Sequence, residues 1–249
     1  MIKKLSKILG VAALLAFLVV TLAFTSIKYR DAACSKIEIE YEPDDLIAID
    51  KAVVRKLVLN ADKAVLGKHF DSINTAFLET EVEKHAAILK AEVYELVEKD
   101  STAYRGVLKV KVKHREPIVR IMNRDASYYL DENGYKFPVS RSYPANVLVA
   151  TGDIDEKYAA EQLLPFVRYI EKDEFWKAQI EQVHVEKGGD VVLTPLMGDH
   201  LIELGTPENY EEKLRNMKAF YKKVLVHNNW NKYKTISLKY KDQIVAKRK

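Results

Sequence analysis

Residues 107–117, VLKVKVKHREP, constrain the fold of this chain more than any other stretch. Val107, Leu108, Val110 and Val112 run with Lys109, Lys111 and Lys113 between them, the period-2 alternation of a strand with one buried and one wet face. Pro117 stops it, because proline brings no N–H to a ladder and holds the residue before it extended. Glu116-Pro117 is thus predicted to be a joint between two sheets. Beyond the joint, Tyr128, Tyr129 and Leu130 lead into Asp131-Glu132-Asn133-Gly134, whose Asn-Gly pair suits the positive φ values of a tight hairpin turn, with Tyr135 and Phe137 on the return strand. These aromatics are read as hairpin core, since cross-strand aromatic pairs stabilise sheets.

At the N-terminus, Ile8 to Ile27 is a run of twenty residues without a charge. A helix of that length spans about 30 Å, the thickness of a bilayer core. Lys3, Lys4 and Lys7 precede it. The positive-inside rule then predicts a cytoplasmic tail over 1–7, a transmembrane helix over 8–27, and everything after about residue 30 across the membrane. The run is longer than the ~7–15 apolar residues of a signal peptide, which favours a retained anchor.

The formal net charge of +4 is unevenly spread. Three lysines in residues 1–7, and seven Lys/Arg against Asp242 alone in residues 232–249, leave the segment between with a net charge of −5. An acidic body with basic ends lacks the basic, aromatic-interleaved face of a nucleic-acid binder. The single cysteine, Cys34, excludes an intrachain disulfide, so the fold must be held by its core.

Before the joint the pattern reads strand, helix, helix, strand, strand. Ile37, Ile39 and Tyr41 alternate with Glu38 and Glu40; Asp50 caps a helix through Val53, Val54, Leu57 and Val58; Asn74 or Thr75 starts a second through Leu78 and Val82. Leu89–Val97 and Gly106–His114 are two strands around the turn at 99–101. After the joint, strands dominate. Ala159, Leu163, Leu164, Val167 and Ile170 suggest a helix bent or started by Pro165, and Gly188-Gly189 joins strands at 180–185 and 191–193. Thr206-Pro207-Glu208 has the cap, first-turn proline and acid of a helix start, continued by Leu214, Met217, Tyr221, Val224 and Leu225. The last strand is expected to run from Thr235 to Val245, with Ile236, Leu238 and Tyr240 on one face and Ser237, Lys239 and Lys241 on the other.

Three segments in this order, HREPIVRI, YYLDENGYKFP and WNKYKTISLKY, resemble the FtsQ/DivIB family of bacterial cell-division proteins. The resemblance covers nearly the whole chain and implies an α+β architecture: a transmembrane helix, a POTRA-like β-α-α-β-β domain over 35–116, and a C-terminal β-sheet domain with helices over 117–249. His114 stands where the family has an acid and Lys239 where it has arginine, and EPDDLIAID replaces the family's Gly-Asn after the first strand. The implied role is a non-catalytic divisome scaffold in the inner membrane at the septum, its bulk periplasmic, linking early and late division proteins and restraining septal peptidoglycan synthesis. The implied partners are the small bitopic coiled-coil proteins FtsL and FtsB/DivIC. In the family a partner strand adds to the terminal strand, which assigns partner binding here to Thr235, Ile236, Ser237, Leu238, Lys239, Tyr240, Lys241, Gln243 and Val245.

Other classes fit less well. The six histidines are never closer than sixteen residues, which gives no local metal-ligand pair. Gly67-Lys68 lacks the remainder of a phosphate loop, and neither G-x-S-x-G nor S-x-x-K occurs. No catalytic, metal or cofactor residues are therefore assigned. A membrane-anchored POTRA docking or chaperone module of a secretion or outer-membrane assembly system is the second reading, and an anchored extracytoplasmic hydrolase the third.

Overall fold

The computed structural model describes residues 10–22, 32–99, 104–124, 126–139, 145–225 and 230–249. The expectation for the N-terminus is corrected first. Residues 10–22 form helix α1, about 20 Å long at 1.5 Å per residue against the ~30 Å of a bilayer core, while residues 1–9 and 23–27 lie outside the described residues. Among the described residues no helix is long and apolar enough to cross a membrane. That overturns the expected transmembrane helix, the single-pass topology, and the inner-membrane and periplasmic placement built on it.

The chain divides after His114 into two compact units. In the first, β1 (Cys34–Tyr41) is followed by α2 (Lys51–Ala61), a 3-10 turn at Phe70–Ser72, α3 (Thr75–Glu83), β2 (Ile88–Lys99) and β3 (Tyr104–His114). The sheet order is β1-β3-β2, with β1 parallel and β2 antiparallel to β3. Asp50 caps α2 by accepting the Ala52 N–H at 2.8 Å, and Asn74 caps α3 by accepting the Phe77 N–H at 3.0 Å. Val54, Val58, Leu78 and Val82 bury their helical faces with Ile37, Ile39, Val110 and Val112 of the sheet.

The alternating lysines of β3 are not merely solvated. Lys109 bridges Glu40 at 2.6 Å and Glu38 at 3.3 Å on β1, and Lys111 meets Glu42 at 2.7 Å. The bond to Glu40 is the main cause of the raised pKa of the Lys109 ammonium. At the end of β3, His114 is buried: its Nε2 accepts the Ile49 N–H at 3.1 Å, so Nδ1 carries the proton donated to Asp45 at 2.6 Å. The Tyr41 ring packs edge-on against it at 4.8 Å.

In the second unit, β4 (Pro117–Met122), β5 (Ser127–Asp131), β6 (Lys136–Pro138) and β7 (Leu148–Gly152) lead into α4 (Glu156–Tyr158). A π turn at Ala159–Leu163 joins α4 to α5 (Leu164–Lys172), followed by α6 (Glu174–Gln179), β8 (Ile180–Val185), β9 (Val191–Pro195) and β10 (Leu201–Gly205). Helix α7 (Tyr210–Phe220) ends in a second π turn, Tyr221–Leu225, before β11 (Tyr233–Ser237) and β12 (Val245–Arg248). The strands form one sheet in the order β12-β11-β10-β9-β8-β7-β4-β5-β6. Of its parallel pairs, β7 with β8 and β10 with β11 are joined by helical crossovers, and β4 with β7 through the β5–β6 hairpin and the chain after it. Pro165 sits in the first turn of α5, directly after the wide turn, where its missing N–H removes a helical bond.

The helices share one core with the sheet, built around Phe166, Trp176, Met217 and Tyr221. Asp173 organises their meeting: it caps α6 through the Phe175 and Trp176 N–H groups at 2.9 and 3.1 Å and binds Lys218 of α7 at 3.0 Å. Two local expectations are corrected. Helix α7 begins at Tyr210 rather than Thr206, because Asn209 takes a left-handed φ of 51° and redirects the chain there. Tyr135 is 45% exposed, its ring covered by the Arg115 guanidinium at 3.7 Å, and only Tyr128, Tyr129 and Phe137 are hairpin core. At the turn, Gly134 alone has positive φ, at 81°. The buried Asp131 holds that turn by accepting the Asn133 and Tyr135 N–H groups at 2.9 and 2.8 Å.

Two outcomes follow from this packing. A Cβ at Gly106 would fall 2.4 Å from the Ala33 carbonyl oxygen and 2.7 Å from the Phe70 ring, so Gly106→Ala should lower unfolding stability by about 1–3 kcal/mol in urea titration. Burial raises the Asp173 pKa, but Lys218 and the α6 N–H groups outweigh it and bring the carboxyl below its ordinary value of 3.8. Its stabilisation is thus present above that value and lost as pH falls through the lower, folded one. Asp173→Ala should be about 1 kcal/mol less stable than wild type at pH 7, with the gap closing in acid.

Candidate partner-binding site

The nine residues assigned to partner binding do not lie on one open strand. Thr235, Ile236 and Ser237 are in β11, which pairs in parallel with β10 (Leu201 with Thr235, Ile202 with Ile236) and antiparallel with β12 (Ile236 with Ala246, Ser237 with Val245). Both sides of β11 are occupied. Leu238 donates its N–H to the Glu203 carbonyl at 2.8 Å and is buried, and Tyr240, Lys241 and Gln243 form the turn into β12, which Val245 starts.

The expected strand breaks here because its neighbour ends. Gly205 closes β10 with a φ of 73°, and the Lys239 side chain covers it, with Cγ 3.0 Å from where a Cβ would stand. With nothing left to pair against, the chain reverses through Asp242, at a left-handed φ of 58°, and the Gln243 N–H donates to the Tyr240 carbonyl at 3.3 Å. β12 is consequently the edge of the sheet, and among the described residues no strand pairs with its outer side.

Charges pin this hairpin from within. Lys239 binds Asp190 at 2.6 Å, and Lys249 binds Asp199 at 2.9 Å while its N–H donates to the Lys232 carbonyl at 3.1 Å. Both pairs are exposed and screened by solvent, so together they position the edge more than they stabilise the sheet. Lys239, one of the nine assigned residues, thus carries an ion pair within the chain. Tyr240 is 61% exposed and Val245 47%, the apolar side chains on view along the turn and edge. Tyr240 and Lys241 also border a groove of about 330 Å³ between this turn and the start of α7, with Glu208, Lys213 and Ile244. Burial lowers the Lys213 pKa, and its ammonium donates to the Thr206 carbonyl at 2.8 Å.

Lys247 and Arg248 lie on this edge strand and Lys249 follows it, outside the nine assigned residues. The signal that identifies them is Lys241-Asp242-Gln243, a polar turn triplet between two β-rich runs. Elsewhere, His200 and His184 make contacts within the fold. His200 is buried with Nε2 3.0 Å from the Tyr221 hydroxyl, and His184 Nδ1 lies 2.9 Å from the Thr151 hydroxyl. Among the described residues no three His, Cys, Asp or Glu side chains are placed to hold a metal ion. A wider hollow of about 730 Å³ opens at the carboxyl ends of β4, β7 and β8, its rim spanned by the Lys136–Glu156 pair at 2.9 Å.

Residues 116–247, more than half of the chain and all but the last residues of the nine-stranded sheet, match the family model described as FtsQ/DivIB, C-terminal related. No curated protein matches the chain.

The geometry of the break is directly testable. Gly205→Ala places a Cβ in a left-handed residue and against Lys239, and should lower stability by about 1 kcal/mol. Amide exchange at Leu238 should accelerate with it.

Proposed function

We propose a partner-linking, non-catalytic scaffold role in cell division for this chain, which belongs to the FtsQ/DivIB, C-terminal related family. The observation that carries the reading is the unpaired outer side of β12, the terminal strand of the sheet the family match covers. A strand from a small coiled-coil partner of the FtsL or FtsB/DivIC kind adds to that side, main-chain hydrogen bonds supplying affinity and alternate side chains supplying specificity. Lys247, Arg248 and Lys241 discourage unselected pairing and favour an acidic partner segment. Tyr240 stands beside the added strand, on the turn, as an aromatic contact. Through such links the chain connects early and late division proteins and restrains septal peptidoglycan synthesis. In this reading residues 35–116 are a POTRA-type docking domain, supported by their β-α-α-β-β order, and residues 117–249 carry the partner edge.

Single prolines at Val245, Ala246, Lys247 and Arg248 test this. Those whose nitrogen faces outward should abolish pull-down of the coiled-coil partners while leaving circular dichroism unchanged. Tyr240→Ala should weaken binding about tenfold. Full binding by every folded proline variant would place the partner site elsewhere.

A further inference from the structure

Strand β2 is one edge of the three-stranded sheet, and among the described residues no strand pairs with its outer side. Twelve residues of open backbone would be a ready template for another chain. Here the outward N–H groups are met from an unexpected direction: Val93 donates to Glu79 Oε1 at 2.8 Å and Ala91 to Glu83 Oε1 at 3.0 Å. Both carboxylates come from α3. Residues four apart advance about 6 Å along a helix, close to the ~6.8 Å advance of two residues along a strand, so one helix face supplies two acceptors in step with the edge.

We propose that Glu79 and Glu83 form an intramolecular cap that keeps the β2 edge from pairing with the same edge of a second copy of this chain. The second copy is the fitting occupant because β2 is complementary to itself. Antiparallel pairing centred on Tyr94 sets Lys90 opposite Glu98 on both sides of the two-fold axis, Ala91 opposite Val97, and Tyr94 opposite its own copy. Lys90 and Glu98 are exposed, as are Tyr94 at 42% and Leu96 at 37%, and this register covers them. The same register needs the Ala91 and Val93 N–H groups for its ladder. Cap and dimer compete for the same two donors in each copy.

Disulfide cross-linking of the full chain reads the competition. Cys34 is the chain's one cysteine and is buried, so Tyr94→Cys supplies an exposed thiol at the two-fold axis, where opposed residues lie about 4.5 Å apart and can be bridged. In the Glu79→Ala/Glu83→Ala background, cross-linked dimer should form at least roughly tenfold faster than in the capped background. Glu79→Gln/Glu83→Gln, whose amide oxygens still accept, should stay slow, and Leu89→Cys, which faces Lys99 rather than itself, should not respond. A folded double-alanine variant that cross-links no faster, or a Leu89→Cys variant that responds equally, overturns the proposal. Should the double variant lose its strand signal in circular dichroism, Glu83→Ala alone gives the same readout. Amide exchange on the wild-type chain gives a second one: fast exchange at Ala91 and Val93 overturns the cap, and protection there supports it.

Discussion

The parallel pairing of β10 with β11 decides the architecture of the C-terminal unit. Parallel neighbours cannot be joined by a tight turn, so residues 206–232 must cross over the sheet and need an apolar face to stay there. Leu214, Met217, Tyr221 and Leu225 provide it, and the Tyr221 ring meets Phe175 and Trp176 of α6. Once β11 is laid against β10 from that crossover, its other side is free, and the remaining dozen residues can only return as a hairpin. The sheet edge is thus a consequence of the crossover. The hydrogen bond between His200, at the entry to β10, and Tyr221, at the end of the crossover, ties the two together inside the core.

Much of this was legible because periodicity reports burial. The alternation over Val107–Val112 gave β3, the Gly188-Gly189 pair gave the β8–β9 turn, and Asp50 and Asn74 cap the helices their spacing suggested. Periodicity does not report where a neighbour ends. Ile236, Leu238 and Tyr240 continue a strand pattern, yet the strand stops at Ser237 because Gly205 stops β10 some thirty residues earlier in the chain. Backbone geometry is equally silent: Asn209 reads as part of a helix start and instead redirects the chain ahead of α7. Tyr135 sits among three aromatics that are buried and is itself exposed beneath Arg115, a contact within the second unit that no local pattern carries.

Charge was legible in amount but not in pairing. The lysines of β3 read as a solvated face, and they are that face, but their register against β1 sets Glu38 opposite Lys109 and Glu40 opposite Lys111. Lys239 reads as a partner contact, and within the sheet it pairs with Asp190 of the β8–β9 turn. In both cases the missing information was which strand lies alongside, a property of the sheet and not of the strand.

The β2 and β12 edges are managed by different physics. On β2, carboxylates from α3 occupy backbone donors, so an incoming strand must first displace a charge-assisted hydrogen bond. On β12, Lys247 and Arg248 point no acceptor at the backbone; they repel a basic strand and attract an acidic one while leaving the ladder groups unclaimed. The first device occupies the donors of its edge and the second leaves the ladder groups of its edge open among basic side chains. Carboxylates on α3 and basic residues on the terminal hairpin thus give the two edges opposite chemistry.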